Sequence, residues 1–232
     1  MKVIGGIRYT ERGLTTSLRA MHLQSEVMAM RNENVTGFDK IGYQRKDPVV
    51  SSMTEWIGIH GLSQTVDDKV GRIAISREPL DCACASKGYF VIKKPDGIEI
   101  TRDGRFKYDR HGNFLNTTDD AVLSDVGTPI KLPLVPRQPE DVKIDANGNI
   151  TVYNPETHKM VFAGKIGVVD ADGTLLTEPQ VKQGYNEFSN VSMQEEFMTM
   201  LPVIRNFEAN RQIFMIQNQN LQKVISQLGS AQ

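Results

Sequence analysis

The sequence predicts an α+β protein in which long N- and C-terminal helices are paired as a coiled coil, with a mostly antiparallel β domain between them. Three observations predict it: a helical apolar stripe near the start, short β-type runs divided by Asp–Gly turns in the middle, and a long heptad series at the end. The chain divides on this reading into 1–43, the first helix and following turn; 44–76, an extended connection; 77–188, the β domain; and 189–232, the last helix.

In the first helix Leu14, Leu18, Met21, Ser25 and Met28 fall at alternating spacings of four and three, and Leu23, Val27 and Met30 widen the stripe. Gly13 weakens the start, so a stable helix is predicted from near Leu14. Asn34-Val-Thr-Gly37 is a stop signal, because Asn and Gly tolerate the left-handed conformation. Between 44 and 76, Pro48, Gly58, Gly61 and Gly71 interrupt any period, which predicts an extended excursion with some strand. Trp56, the only tryptophan, lies there and serves either a local core or an intersubunit anchor.

The β-type runs of the middle include Gly88–Ile92, Ile98–Thr101, Asn149–Tyr153 and Lys165–Val169. Turn sequences divide them: Pro95-Asp-Gly97, Arg102-Asp-Gly104, Arg110-His-Gly-Asn113, Asp145-Ala-Asn-Gly148 and Asp170-Ala-Asp-Gly173. Asp opens such a turn by accepting from nearby backbone N–H groups, and Gly closes it at positive φ. A calcium reading of the last two is poor, because the EF-hand loop needs its glycine at the sixth position and theirs is at the fourth. Cys82 and Cys84, the only cysteines, are too few ligands for zinc. Two residues apart in a strand, they share a face and read as small buried groups, with metal or redox use as the alternative.

At the C-terminal end Ser192-Met-Gln-Glu195 matches a capping box. Met193, Phe197, Met200, Ile204, Phe207, Arg211, Phe214, Asn218, Leu221, Ile225 and Leu228 then form a heptad series in which only Arg211 and Asn218 are not apolar. From Ser192 to Leu228 such a helix spans roughly 55 Å at 1.5 Å per residue. A small β domain cannot cover that length, so a partner helix is expected. Pro202 predicts a kink, or a helix beginning just before it.

Composition narrows function. Of 232 residues, 27 are Lys or Arg and 28 are Asp or Glu, so the basic excess of a nucleic-acid binder is missing. No run approaches the roughly 18 apolar residues of a membrane span, and Val3–Ile7 is shorter than the seven or so residues of a signal-peptide core. If the protein leaves the cytoplasm it is therefore expected to do so without a cleaved signal, and no membrane insertion is expected. His22, His60, His111 and His158 are scattered, and no nucleophile, metal-hydrolase or phosphate-loop motif occurs. Catalytic, metal and cofactor sites are expected to be none.

Paired terminal helices with a β domain between them suit proteins that polymerise, and particular stretches give that layout a family. Gln183-Gly-Tyr-Asn-Glu-Phe-Ser-Asn-Val-Ser-Met-Gln-Glu-Glu196 resembles the QGxLExSNVNxxEE run of flagellar rod and hook proteins, and Arg205-Asn-Phe-Glu-Ala-Asn210 resembles their RxYEAN motif. Pro79-Leu-Asp81 with Lys87-Gly-Tyr-Phe90 resembles PLDxAIxGxGFF. Thr101–Phe106 with Asp109–Asn113 resembles YTRDGxFxxDxxGxL, and Ile144–Gly148 resembles IxxDGxV. Asn32–Tyr43 is a looser match to NNLANxxTxGYK, keeping Gly42-Tyr43.

The resemblance implies a structural subunit, most like a distal rod protein, with a proximal rod or hook subunit as the alternative. It implies export through the flagellar type III apparatus, residence in the basal body beyond the inner membrane, and a tube whose inner wall is made of the terminal helices. Implied partners are further copies of the chain, other rod and hook subunits, and ring proteins around the rod. The expected subunit-assembly interface is Leu14, Leu18, Met21, Met28, Asn34, Gly42, Tyr43, Phe197, Met200, Ile204, Phe207, Asn210, Phe214, Asn218, Leu221, Ile225 and Leu228. Two other classes compete: a soluble coiled-coil adaptor, which leaves the motifs unexplained, and a small β-domain hydrolase, which lacks a nucleophile constellation.

Overall fold

The computed structural model describes the backbone of residues 3–51 and 61–229 and the side chains of 13–51 and 61–229; Trp56 and His60 lie outside the described residues. Along the chain α1 (Val3–Gly37) is followed by β1 (Lys46–Val50), β2 (Leu62–Val66), β3 (Ile73–Ile75), β4 (Cys82–Cys84), β5 (Tyr89–Lys94), β6 (Gly97–Thr101), β7 (Lys107–Tyr108), β8 (Phe114–Leu115) and β9 (Ala121–Val122). A 3-10 turn at Pro139–Asp141 leads into β10 (Val142–Ile144) and β11 (Asn149–Asn154). Then come β12 (Lys159–Lys165), β13 (Val168–Val169), β14 (Val181–Gln183), β15 (Tyr185–Glu187) and α2 (Met193–Gly229). The protein is α+β, with two helices and mostly antiparallel sheets.

The chain forms two compact units. One is made of Met1–Thr36, Lys46–Thr65 and Ser192–Gln232; the other of Gly37–Arg45 and Val66–Val191. The first holds α1, α2 and the β1–β2 pair. α1 begins at Val3, well before the predicted start near Leu14, and runs through Gly13. Its glycine is a matter of space: a Cβ there would lie 2.2 Å from Nε2 of Gln217 on α2. Close approach of two helices outweighs the ~1 kcal/mol propensity cost of glycine. α2 likewise runs unbroken through Pro202, whose ring is on the exposed side. Its start is capped as expected, the Glu195 N–H donating to Ser192 Oγ at 3.4 Å.

The second unit is a β domain. A six-stranded sheet runs β13-β5-β9-β8-β7, with β6 on the other side of β5, and β10-β11-β12 make a three-stranded sheet. Inward residues of both close one core, where Phe106 meets Phe90 edge-on and Phe114 obliquely, each at 5.1 Å between ring centres. Cys82 and Cys84 have no exposed surface in that core, and burial pushes the Cys82 thiol up, helped by the neighbouring Asp81 charge. The predicted run Lys165–Val169 is divided, β12 ending at Lys165 and β13 starting at Val168, because Gly167 packs against the Ser124 carbonyl, where a Cβ would fall 2.6 Å from it.

Two of the Asp–Gly sequences, at Asp109 and Asp145, are turns built to one plan. Asp109 Oδ1 accepts the N–H groups of His111 and Asn113 at 2.8 Å each, and Asn113 Nδ2 donates to Oδ2 at 2.7 Å. Asp145 repeats this with Asn147 and Asn149 at 2.9, 2.9 and 2.8 Å. Gly112 and Gly148 take φ near +80° in the two turns. These carboxylates face N–H donors rather than an oxygen cage, which is turn chemistry and not calcium chemistry.

Two outcomes follow. Phe106→Ala removes both ring contacts from a packed core and costs about 3–5 kcal/mol; urea unfolding followed by circular dichroism reads it, and an unchanged midpoint would refute this core. Burial pushes the Asp109 and Asp145 carboxyls up, but the side-chain and backbone hydrogen bonds around them prevail and hold both below the usual range. Depressed carboxyls stabilise above their unfolded pKa and lose that contribution as pH falls through the folded value. Asn113→Ala should therefore raise the Asp109 pKa in an NMR titration and move acid unfolding to higher pH.

Candidate assembly surface

The helical unit presents the surface to be weighed. α1 turns Gly13, Ser17, Ala20, Gln24, Val27, Arg31 and Asn34 inward, at spacings of four and three. These positions lie one residue before the predicted stripe wherever the two can be compared: Leu14, Met21 and Met28 are half-buried, while Leu18 is exposed. On α2, Met193, Met200, Phe207, Phe214 and Leu221 are half-buried as the heptad predicts. The alternating positions are displaced by one. Glu196, Val203, Asn210, Gln217 and Val224 turn inward, while Phe197, Arg211, Asn218, Ile225 and Leu228 are exposed; Ile204 is half-buried.

Period alone could not choose between the two phases, because apolar residues populate both. Polar partners on α1 decide it. Arg31 Nη1 lies 3.3 Å from both oxygens of Glu196, Asn34 Nδ2 donates to Glu196 Oε2 at 3.3 Å, and Asn210 Nδ2 lies 3.4 Å from Gln24 Oε1. Together with Gln217 against Gly13, these contacts set the two helices antiparallel at matching heights.

Glu196 carries the strongest constraint, since its side chain has no exposed surface and Arg31 is 11% exposed. Arg31 also reaches Asp47 Oδ1 at 3.1 Å. Asn34 is fully buried and ties α1 to the start of β1, donating to the Lys46 carbonyl at 2.8 Å and accepting its N–H at 2.9 Å. Reading the sequence as Ser-x-x-Glu capping directed attention to Glu195 and missed Glu196; the adjacent second Glu, on the inward phase, was the available signal.

In the β domain, Gly42 and Tyr43 are engaged within the chain. Gly42, at φ +70°, leaves no room for a Cβ beside the Asp103 backbone nitrogen, and its N–H donates to the Glu187 carbonyl at 2.8 Å. The Tyr43 ring packs against Gly37. Arg102 pairs with Glu187 at 3.0 and 3.2 Å and lies 5.0 Å from the Tyr89 ring centre. Asp103 pairs with Arg105.

Several apolar side chains remain bare among the exposed polar ones. Leu18, Phe197, Met198, Leu201, Ile216, Ile225 and Leu228 are each more than half exposed. A helix apolar on its inner face is ordinary, whereas one apolar on its outer face too has surface left to bury. Among the described residues no group of three or more His, Cys, Asp or Glu side chains could hold a metal ion, and no helix is long and apolar enough to cross a membrane.

Comparison with known proteins places this geometry. Residues 83–152 match the flagellar hook protein FlgE/F/G D1 domain, and residues 182–228 match the C-terminal domain of flagellar basal body rod FlgEFG proteins. The chain is 27% identical over 212 residues to the flagellar basal-body rod protein FlgF of Mesorhizobium japonicum, covering 86% of this chain and 88% of that one. It is 25% identical over 238 residues to the flagellar basal-body rod protein FlgG of Bacillus subtilis, covering 84% and 89%. The first match spans most of the β domain, and the second runs from β14 through nearly all of α2.

Removing one partner of a buried ion pair leaves an uncompensated charge and costs about 3–5 kcal/mol. Arg31→Met should lose that much stability in urea unfolding, and Arg31→Met with Glu196→Leu should lose less than Arg31→Met alone. Simple addition of the two single losses would show that the pair is not coupled.

Proposed function

This chain belongs to the family of flagellar basal-body rod and hook proteins, and we propose that it works as a rod subunit whose terminal helices pair as a coiled coil and pack against those of neighbouring copies. The observation that carries this reading is the set of apolar α2 side chains left more than half exposed, among them Phe197, Leu201, Ile216, Ile225 and Leu228. In a polymer each exposed side chain would be buried at every subunit, at ~25 cal/mol per Å² of apolar surface. Heterologous contacts that do not close generate helical assemblies, which is what a tube requires.

On this reading Leu18, Phe197, Ile225 and Leu228 meet neighbouring copies directly. Leu14, Met21, Met28, Met200, Ile204, Phe207, Asn210, Phe214 and Leu221 hold the pair that presents them. Asn34, Gly42 and Tyr43 fix the chain leaving α1, and Asn218 faces the subunit boundary. The partners are further copies, other rod and hook subunits, ring proteins around the rod, and the type III apparatus during export without a cleaved signal. The chain acts as a mechanical link between motor and hook through which exported subunits pass, and performs no catalysis.

Electron microscopy of the purified full-length protein tests the reading, with tubes or ordered oligomers expected. Ile225→Asp and Leu18→Asp should each reduce assembly at least about tenfold, the effect of losing ~1.4 kcal/mol per contact. Because both positions are exposed, circular dichroism should be unchanged. Assembly equal to the parent in both variants would remove the outer helix faces from the interface.

A further inference from the structure

The β domain carries two strand edges that its own fold leaves open. In the three-stranded sheet the β10 edge is closed by a side chain, since Gln183 accepts the Ile144 N–H and donates to the Val142 carbonyl, both at 2.9 Å. Its opposite edge, β12, has no strand beside it among the described residues, and neither has β6 beyond β5. Both edges expose apolar side chains two residues apart: Met160 at 46% and Phe162 at 61% on β12, Ile98 at 70% and Ile100 at 38% on β6. Soluble proteins blunt such edges or use them.

Charge selects which edges fit. An antiparallel pairing of β12 with itself would bring Lys159 near the Lys165 of the other copy, and a pairing of β6 with itself about Glu99 would oppose two carboxylates. Like charges facing each other across strands are destabilising. A pairing of β6 with β12 has neither conflict. Ile98 and Ile100 meet Met160 and Phe162 on one face. Glu99, whose carboxylate contacts Lys94 within its own hairpin, falls opposite Val161 and diagonal to Lys159 on the other.

We propose that the β6 edge of one copy pairs with the β12 edge of the next, continuing the sheet across a subunit boundary. This contact joins different surfaces, so it propagates rather than closing on itself. It rests on the reading of the chain as a self-assembling subunit, and it adds a β-domain contact to that made by the helices.

Cysteine cross-linking of the full-length protein tests it. Glu99→Cys and Val161→Cys stand opposite in either strand direction, and native Cys82 and Cys84 are fully buried. Under mild oxidation the mixture of the two variants should give about tenfold more disulfide-linked dimer than either variant alone, because in the proposed contact residue 99 faces residue 161 and not its own counterpart. Glu99→Lys should shorten assemblies seen by microscopy, and adding Lys159→Glu in the same chain should restore them. Equal dimer from one variant alone, no dimer at all, or no restoration would overturn the pairing. Parent polymers without cross-linking would overturn the edge pairing and leave the subunit reading standing. Cross-linking without parent polymers would support the pairing and count against the rod reading.

Discussion

A carboxylate with no exposed surface has to be met by a cation and by hydrogen-bond donors, and at Glu196 that requirement joins the two ends of the chain. Arg31 supplies the cation and Asn34 an amide N–H, from a segment 165 residues earlier in sequence. Leaving any of these groups unmatched costs more than an ordinary contact returns, because desolvation is lost without compensation. The helix phase, the antiparallel alignment and the anchoring of β1 through Asn34 follow from satisfying it. The β domain has a counterpart in Glu187, whose carboxylate takes Arg102 and the Gly71 N–H while its carbonyl takes the Gly42 N–H. Each unit thus holds a buried acid paired with an arginine, and these two acids lie close together in sequence.

These acids explain what could be read beforehand and what could not. The helices, the hairpin turns and the buried CxC strand were legible because each rests on local chemistry: a period, an Asp–Gly pair, two small residues on one strand face. The α2 seam was legible at every second position. Met200, Phe207, Phe214 and Leu221 fall where the heptad places them, but Phe197 and Ile225 yield the intervening positions to Glu196 and Val224. A stripe that is apolar on two adjacent phases has no preferred one until a polar residue finds its partner. That partner is distant in sequence, so the choice was hidden. Gly13 failed as a helix signal for a related reason, since its meaning lies in the Gln217 side chain beside it.

The family and the geometry account for different things. The matched domains assign the chain to the rod and hook proteins, and the packing shows which apolar side chains of the helices stay exposed. Its inner surfaces are satisfied by ion pairs, amides and a well-filled β core, while its outer surfaces keep apolar side chains that a lone protein would shed. Specificity within the chain is polar and the surface left for neighbours is apolar. On the proposed reading, subunits associate without competing for the contacts that hold each one in register.

The helical unit is discontinuous, drawn from both ends of the chain with the β domain inserted between them. Bringing Arg31 to Glu196 from an unstructured chain means closing a very long loop, with an entropic cost that grows only slowly with length but must be met before any helix contact forms. A folded β domain shortens that span, because β3 pairs with β15 and Ile41 bridges to Phe188, bringing the chain that follows α1 beside the chain that precedes α2. The helix pair therefore forms at a lower entropic cost once the β domain is folded. Until both ends of the chain are in place, each amphipathic helix lacks the polar partners that the other supplies, Arg31 for Glu196 and Gln24 for Asn210.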